Sequence, residues 1–344
     1  MPRISIIIPT YNYAHFLDAA IDSAQAQAAQ DVAVEIIVVD DGSTDDTPYV
    51  LEKYQNAITV ITQENMGLSA ARNTGIAQAK GDFLCFLDAD DILGPNVLAA
   101  QLDILAREPD AHVAVCRNRL FAETDHTGNP IPTGEWSLFA RQLETHLHHY
   151  NIAPPHAFLV RGSALADIRF DTTLKACEDH WFWLSLAAQG RRFVSNPQGT
   201  VYYRRHAQSM SHKKDQQLQA DATVHQRTFQ LLQRFSAPSA KHAPLYAACM
   251  AACLTTGKRL HDTAPEQAEA LHQTAEACCT ILETLPPADT AEHRWFLLRA
   301  MLALLQVPEF IARFSALFPK EWHALGLREA EEKALRMQRR LELS

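Results

Sequence analysis

Asn65-Met66-Gly67-Leu68-Ser69-Ala70-Ala71-Arg72-Asn73-Thr74-Gly75, followed shortly by Phe83-Leu84-Cys85-Phe86-Leu87-Asp88-Ala89-Asp90-Asp91, is the stretch that decides how this chain folds. A helix-forming segment leads into a short apolar strand, and the strand stops on three carboxylates within four positions. Ionised carboxylates repel one another and resist leaving water. A bound divalent cation removes that cost and makes the site a place to hold a diphosphate. Asp88 and Asp90 alternate along an extended segment, so both face the same way and reach one cation. Hard oxygen ligands suit Mn2+ or Mg2+.

The same alternation of strand and helix runs back to the N-terminus. Ile4-Ser5-Ile6-Ile7-Ile8-Pro9 reads as a strand buried on both faces. Phe16, Leu17, Ala20, Ile21 and Ala24 recur at helical spacing. Glu35-Ile36-Ile37-Val38-Val39-Asp40 is a second buried strand, closed by the turn and cap residues Asp41-Gly42-Ser43-Thr44-Asp45-Asp46-Thr47. A helix through Leu51 and Tyr54, a strand near residues 58–62 and a helix over 68–79 follow. Phe83 to Leu87 is the fourth strand, Pro95 opens another helix, and Val113 to Cys116 is a further strand. Such a pattern predicts an α/β protein with a mixed, mainly parallel sheet. Ligands bind outside the carboxyl ends of these strands, which here carry Pro9-Thr10-Tyr11-Asn12, Asp40-Asp41-Gly42-Ser43 and Asp88-Ala89-Asp90-Asp91. The three polar clusters are therefore expected in one crevice.

Residues 117–155, with Gly128, Pro130, Pro132 and Gly134, read as a loop-rich lid or acceptor-binding insertion. Within it Trp136 stacks on a ligand or anchors its own loop, and His146, His148 and His149 read as a solvated helix face. Strands are expected at 156–161 and 200–205, with a helix over 178–189 whose Trp181, Phe182, Leu184 and Leu186 pack inward. Beyond Lys213 strand signals vanish. That tail reads as amphipathic helices broken at Pro238, Pro244, Pro265, Pro286-Pro287, Pro308 and Pro319. Trp295 to Leu305 is apolar nearly all round, the pattern of a helix packed on other helices or of a docking patch for a membrane or a partner. The run from Glu329 to Glu342 reads as a solvated helix.

A formal net charge of −9 over 344 residues argues against nucleic acid as a partner. The seven cysteines include no C-x-x-C pair, so buried free thiols in a reducing compartment are expected rather than a structural zinc site. No segment reaches the roughly 18 apolar residues of a membrane span, which places the expected location in the cytoplasm, including the inner face of its membrane.

In Ile6-Ile7-Ile8-Pro9-Thr10-Tyr11-Asn12, Val38 to Thr47, Asn65 to Gly75, Phe86 to Asp91, Glu178-Asp179-His180-Trp181 and Tyr203 to Ser211, the chain resembles the family 2 glycosyltransferases, inverting enzymes of GT-A fold. The resemblance covers roughly residues 1–212, implying a glycosyltransferase domain there and a helical accessory domain over 213–344. It implies a nucleoside-diphosphate-sugar donor, UDP-linked, and a glycan, lipid-linked or protein acceptor. Asp41 then contacts the base, with Pro9, Thr10 and Tyr11 lining its pocket and Arg72 beside the base or the phosphates. Asp90 is the implied metal ligand, joined by His206, while Asp88 touches the ribose or sugar. Asp91, Glu178 and Trp181 face the donor or acceptor sugar, with a helix cap as the other reading of Asp91. Asp179 supplies the base, Arg204 and Arg205 neutralise phosphate, and Ser209-Met210-Ser211 forms a lid. Two other readings compete. A nucleotidyltransferase would want a glycine-rich basic loop where Pro9-Thr10-Tyr11-Asn12 stands, and a glycan-binding scaffold without catalysis would not need Asp41, Asp88, Asp90 and Asp179 together.

Overall fold

The computed structural model describes residues 1–28, 32–124, 128–135, 143–207, 209, 214–234, 238–285, 290–304 and 327–343. The chain divides into two compact units. One comprises Met1–Phe139 with Ile152–His212, the other Ala140–Asn151 with Lys213–Ser344.

The first unit is built on β1 (Arg3–Thr10), α1 (Ala14–Gln25), β2 (Ala33–Asp40), α2 (Thr47–Glu52), β3 (Thr59–Thr62), α3 (Leu68–Gln78), β4 (Phe83–Phe86), β5 (Ile92–Leu93), α4 (Val97–Arg107), β6 (Val113–Thr124), β7 (Pro130–Glu135), β8 (Phe158–Arg161), α5 (Glu178–Ala188) and β9 (Phe193–Arg204). The sheet runs β3-β2-β1-β4-β8-β6-β9-β5, with β7 paired to β6. Pairings among β3, β2, β1 and β4 are parallel, as is β6 with β9, whereas β8 runs antiparallel to both β4 and β6. The sheet is thus mixed, its parallel part concentrated in the first half. Ile4, Ile6, Ile7 and Ile8 of β1 are fully buried, each contributing about 1.5–3 kcal/mol of transfer free energy. Gly75 lets α3 lie close on that strand: a Cβ there would stand 2.3 Å from Ile7 Cγ2.

Two expectations for this unit need correction. Part of the segment expected to be loop is a hairpin, since β6 extends to Thr124 and β7 returns along it. In α5 it is Trp183, not Trp181, that lies fully buried alongside Phe182, Leu184 and Leu186. Trp183 stacks on Phe158 at 4.1 Å and Phe182 stacks on Phe170 at 4.0 Å. Phe182 also meets Phe86 of β4 edge-on at 5.6 Å. These contacts fix the N-terminal turn of α5, where Glu178 and Asp179 stand. Trp136 lies outside the described residues.

The second unit is helical: the short helix Leu143–Leu147, then α6 (Lys214–Leu232), α7 (Ala243–Leu260), α8 (Pro265–Thr284), α9 (Ala291–Leu304) and α10 (Leu327–Leu343). Pro244 sits in the first turn of α7 and Pro265 opens α8, where a missing N–H costs nothing. Pro286, Pro287, Pro308 and Pro319 lie outside the described residues. Trp295 to Leu304 is buried in this unit's core apart from a half-buried Arg299, so the packing alternative holds for the apolar stretch and it offers no open docking patch. Ala330 and Ala334 of α10 are also buried, so that helix presents one packed side rather than being solvated all round. All seven cysteines are buried and free.

The histidine cluster is likewise not a solvated face, for His146, His148 and His149 are all buried. The His146 ring packs 5.3 Å from Trp295 and 5.2 Å from Phe296. Burial pushes its pKa down to about 4. An imidazole whose folded pKa lies below its unfolded value stabilises fully above that unfolded value and loses its contribution as pH falls through the window from about 6.5 to about 4. The loss amounts to about 3 kcal/mol at the acid end. Wild type should therefore lose stability relative to His146→Phe as the pH falls from 7.5 to 4.5. Urea unfolding of the full chain across that range checks the sign.

Candidate active site

The carboxyl ends of β1, β2 and β4 carry the polar clusters, and direct contacts join the first two. At the end of β2, Asp41 is buried and its backbone N–H donates to the Thr10 carbonyl of β1 at 2.9 Å. Its carboxylate accepts three hydrogen bonds, from Gln63 Nε2 at 2.7 Å, Met66 N–H at 3.0 Å and Gly67 N–H at 2.7 Å. Gly42 and Gly67, at φ of 77° and 91°, give the backbone the turns these contacts require. Two ionised oxygens offer about four acceptor positions, so one remains for a ligand. Asn12 takes the left-handed conformation and ties the β1 loop to the β2 loop, accepting from Thr44 N–H at 2.7 Å while its own N–H donates to Ser43 Oγ. Tyr11 is 44% exposed beside it. Thr10 Oγ1 is buried with no hydrogen-bond partner among the described residues, and Pro9 ends the apolar run of β1 just before it.

Arg72 of α3 is fully buried and bridges two motifs. One Nη donates to Asp88 Oδ1 at 2.6 Å, the other to Glu178 Oε1 at 2.7 Å, and its plane lies over the Phe170 ring. Burial works against its charge, but Asp88, Glu178 and Asp179 outweigh that and hold its pKa above the usual guanidinium value. Both Nη groups are thus committed to carboxylates, and Glu178 faces Arg72 rather than open solvent. Asp179 is half-buried, accepts from the His180 N–H at 2.7 Å and lies within the electrostatic reach of Arg72. Trp181, on the next position but one, is half-buried.

Asp90 faces His206, whose Nε2 is 2.9 Å from Asp90 Oδ2. Burial first, then the Asp88 charge, raises the Asp90 pKa, and His206 opposes the rise. The Tyr13 hydroxyl, missed in the sequence, belongs to the same acidic pocket: burial and then Asp90, Asp88 and Asp91 push its pKa up to about 12, so it stays protonated. No group of three or more metal-binding side chains occurs among the described residues. Asp90 and His206 nevertheless present a carboxylate oxygen and a ring nitrogen 2.9 Å apart, donor types that a divalent cation accepts.

Asp91 is placed differently from its neighbours. It is 1% exposed, accepts from the Arg204 N–H at 2.7 Å through Oδ1, and has Oδ2 3.2 Å from His156 Nδ1. Burial, then Asp90 and Asp88, raise its pKa well above the usual carboxylate range. The helix-cap reading does not match this position, since Asn96 caps the helix that follows. Arg204 is also buried, its guanidinium between the rings of Phe16 and Phe121 at 4.6 and 4.3 Å, so only Arg205 of that pair is exposed. Ser209 Oγ accepts from the His206 N–H at 3.1 Å; Met210 and Ser211 lie outside the described residues.

Residues 5–169 match the family model described as glycosyl transferase family 2. An uncharacterised glycosyltransferase of Rickettsia prowazekii is 39% identical over 127 residues, which are 37% of this chain and 39% of that protein. The chain thus aligns with about two fifths of that relative's length. Among solved structures, Staphylococcus aureus TarS 1-349 in complex with UDP-GlcNAc superposes with a TM-score of 0.55 at 20% identity, over 99% of this chain and 91% of that one. The mannosyltransferase PcManGT of Pyrobaculum calidifontis, in complex with GDP-Man and Mn2+, gives a TM-score of 0.56 at 19% identity, over 99% and 87%.

Proposed function

We propose that this chain, a family 2 glycosyltransferase by the match over residues 5–169 and of GT-A fold, moves a sugar from a UDP-sugar to an acceptor hydroxyl by a single inverting displacement. The observation that carries the proposal is the acidic set at the carboxyl ends of the strands: Asp41 held against Thr10 of β1, Asp88 paired with Arg72, which also holds Glu178 next to Asp179, and Asp90 facing His206. TarS, with UDP-GlcNAc, and PcManGT, with GDP-Man and Mn2+, support a nucleotide-sugar donor.

In this reading the remaining acceptor position of Asp41 takes the imide N–H of the base, and exposed Tyr11 offers its ring face. Thr10 Oγ1 gains the partner it lacks. Asp88 meets the ribose or sugar with the oxygen that Arg72 leaves open, and Arg72 holds Asp88 and Glu178 in register. Asp90 and His206 would hold Mn2+ or Mg2+, which supplies Lewis-acid stabilisation of the departing diphosphate. Asp179 takes the acceptor hydroxyl proton as the acceptor oxygen bonds to the anomeric carbon. The bond from that carbon to the diphosphate breaks on the opposite side, with UDP as leaving group. The acceptor is a glycan, lipid-linked or protein hydroxyl. The work is placed on the cytoplasmic side, and the helical unit serves as the accessory region. Among the described residues no helix is long and apolar enough to cross a membrane.

Incubation with a panel of UDP-sugars and Mn2+ tests the proposal. Release of UDP, raised by an acceptor glycan, is the expected result. Formation of UTP and a sugar 1-phosphate on addition of pyrophosphate would instead assign a nucleotidyltransferase. Neither product, with no nucleotide bound, would leave a glycan-binding scaffold.

A further inference from the structure

Asp91 and His156 are both fully buried, yet they come from opposite ends of the first unit's sequence logic. Asp91 closes the acidic turn, its N–H donating to the Asp88 carbonyl at 3.1 Å. His156 stands in the short turn Pro155–Ala157 that leads into β8 and packs against β4, β6 and β9. Their Oδ2 and Nδ1 atoms face one another at 3.2 Å. Asp91 Oδ2 has no hydrogen-bond partner among the described residues, and the His156 imidazole lies between it and the Tyr202 backbone. From the other side Arg204 grips the same turn twice. Its N–H donates to Asp91 Oδ1 and its Nε donates to the Asp90 carbonyl, both at 2.7 Å. The Phe16 and Phe121 rings leave that guanidinium little freedom.

We propose that His156 is a positioning residue for the diphosphate site: it anchors Asp91 from beneath, and the anchored turn sets the direction in which Asp90 presents its carboxylate. The proposal rests on the donor-site reading given above. A buried carboxyl group deprived of its facing polar group carries a desolvation cost that it relieves by turning towards water. Asp91 cannot turn without pulling on the peptide that carries Asp90. Groups behind a metal ligand commonly govern affinity in this way although they never touch the ion.

UDP binding to the full chain, measured by calorimetry with and without Mn2+, tests this. His156→Leu removes the facing nitrogen. It should weaken UDP binding in Mn2+ about tenfold and leave metal-free binding unchanged. His156→Asn restores a polar nitrogen near the position of Nδ1 and should recover most of the loss. Asp91→Asn combined with His156→Leu should be no worse than the weaker single variant. If His156→Leu does not fold, the Asn variants carry the comparison, since Asp91→Asn alone should also lower only the Mn2+-dependent affinity. Wild-type affinity in His156→Leu, or equal losses with and without Mn2+, would overturn the proposal. A wild-type chain that binds no nucleotide under either condition would instead remove the donor-site reading on which it stands.

Discussion

Asp90→Ala is expected to lower turnover by about 10²–10³-fold and to abolish the gain in UDP affinity that Mn2+ confers, leaving metal-free UDP binding near its wild-type value. Asp88 and Asp91 cannot take its place. Asp88 has one oxygen on Arg72, and Asp91 is buried against Arg204 and His156. Asp90 faces the imidazole of His206, and that pair is partly exposed, whereas Asp91 and His156 are closed off from solvent. Its raised pKa adds a second sign to the prediction. Burial and the Asp88 charge make its ionised form unfavourable in the folded chain, so at neutral pH the residue costs stability. Asp90→Ala should consequently unfold no earlier than wild type, and Asp90→Asn, which keeps the shape, should unfold later. An inactive variant of undiminished thermal midpoint is the signature of a group kept for chemistry at the expense of folding. Unchanged Mn2+ dependence in Asp90→Ala would remove Asp90 from the site.

The polar strand ends were readable because each follows a β-branched or aromatic run that breaks off abruptly on polar residues. Ile4 to Pro9, Ile36 to Asp40 and Phe83 to Leu87 mark their own ends, and parallel pairing of β2, β1 and β4 then brings those ends together. What stayed hidden depends on partners far along the chain. Arg72 meets Glu178 across 106 positions, so its commitment to two carboxylates has no local trace. His146 is buried by Trp295 and Phe296 of α9, and nothing beside it in sequence announces that. Pro130, Pro132 and Gly134 read as loop residues, but β7 pairs only with β6, and an edge strand tolerates prolines that a central one excludes. α5 is apolar on several sides, so its pattern has no stripe from which to tell Trp181 from Trp183. His156 gave no signal at all, being one histidine among 16.

Asp179→Asn is the sharper test of mechanism, because it separates binding from chemistry. The amide keeps the size and the acceptor oxygen that the His180 N–H uses, so the first turn of α5 should hold its form. What it loses is the capacity to take a proton. Removal of a positioned general base costs about 10²–10⁴-fold in rate, and here that loss should fall on kcat with the KM for the donor nearly unchanged. UDP affinity should stay within about twofold of wild type, since the nucleotide contacts proposed above lie on β1, β2 and the Asp88–Asp91 turn. One effect works the other way: Asp179 is among the charges that hold the Arg72 pKa up, and its neutralisation leaves Asp88 and Glu178 to do so alone. Both retain hydrogen bonds to Arg72 of 2.6 and 2.7 Å, so the bridge survives the substitution. If donor hydrolysis by water persisted while transfer to an acceptor failed, Asp179 would still be the base, acting on the acceptor alone. Transfer at more than a tenth of the wild-type rate would take the role from Asp179 and require the proton to leave by another group.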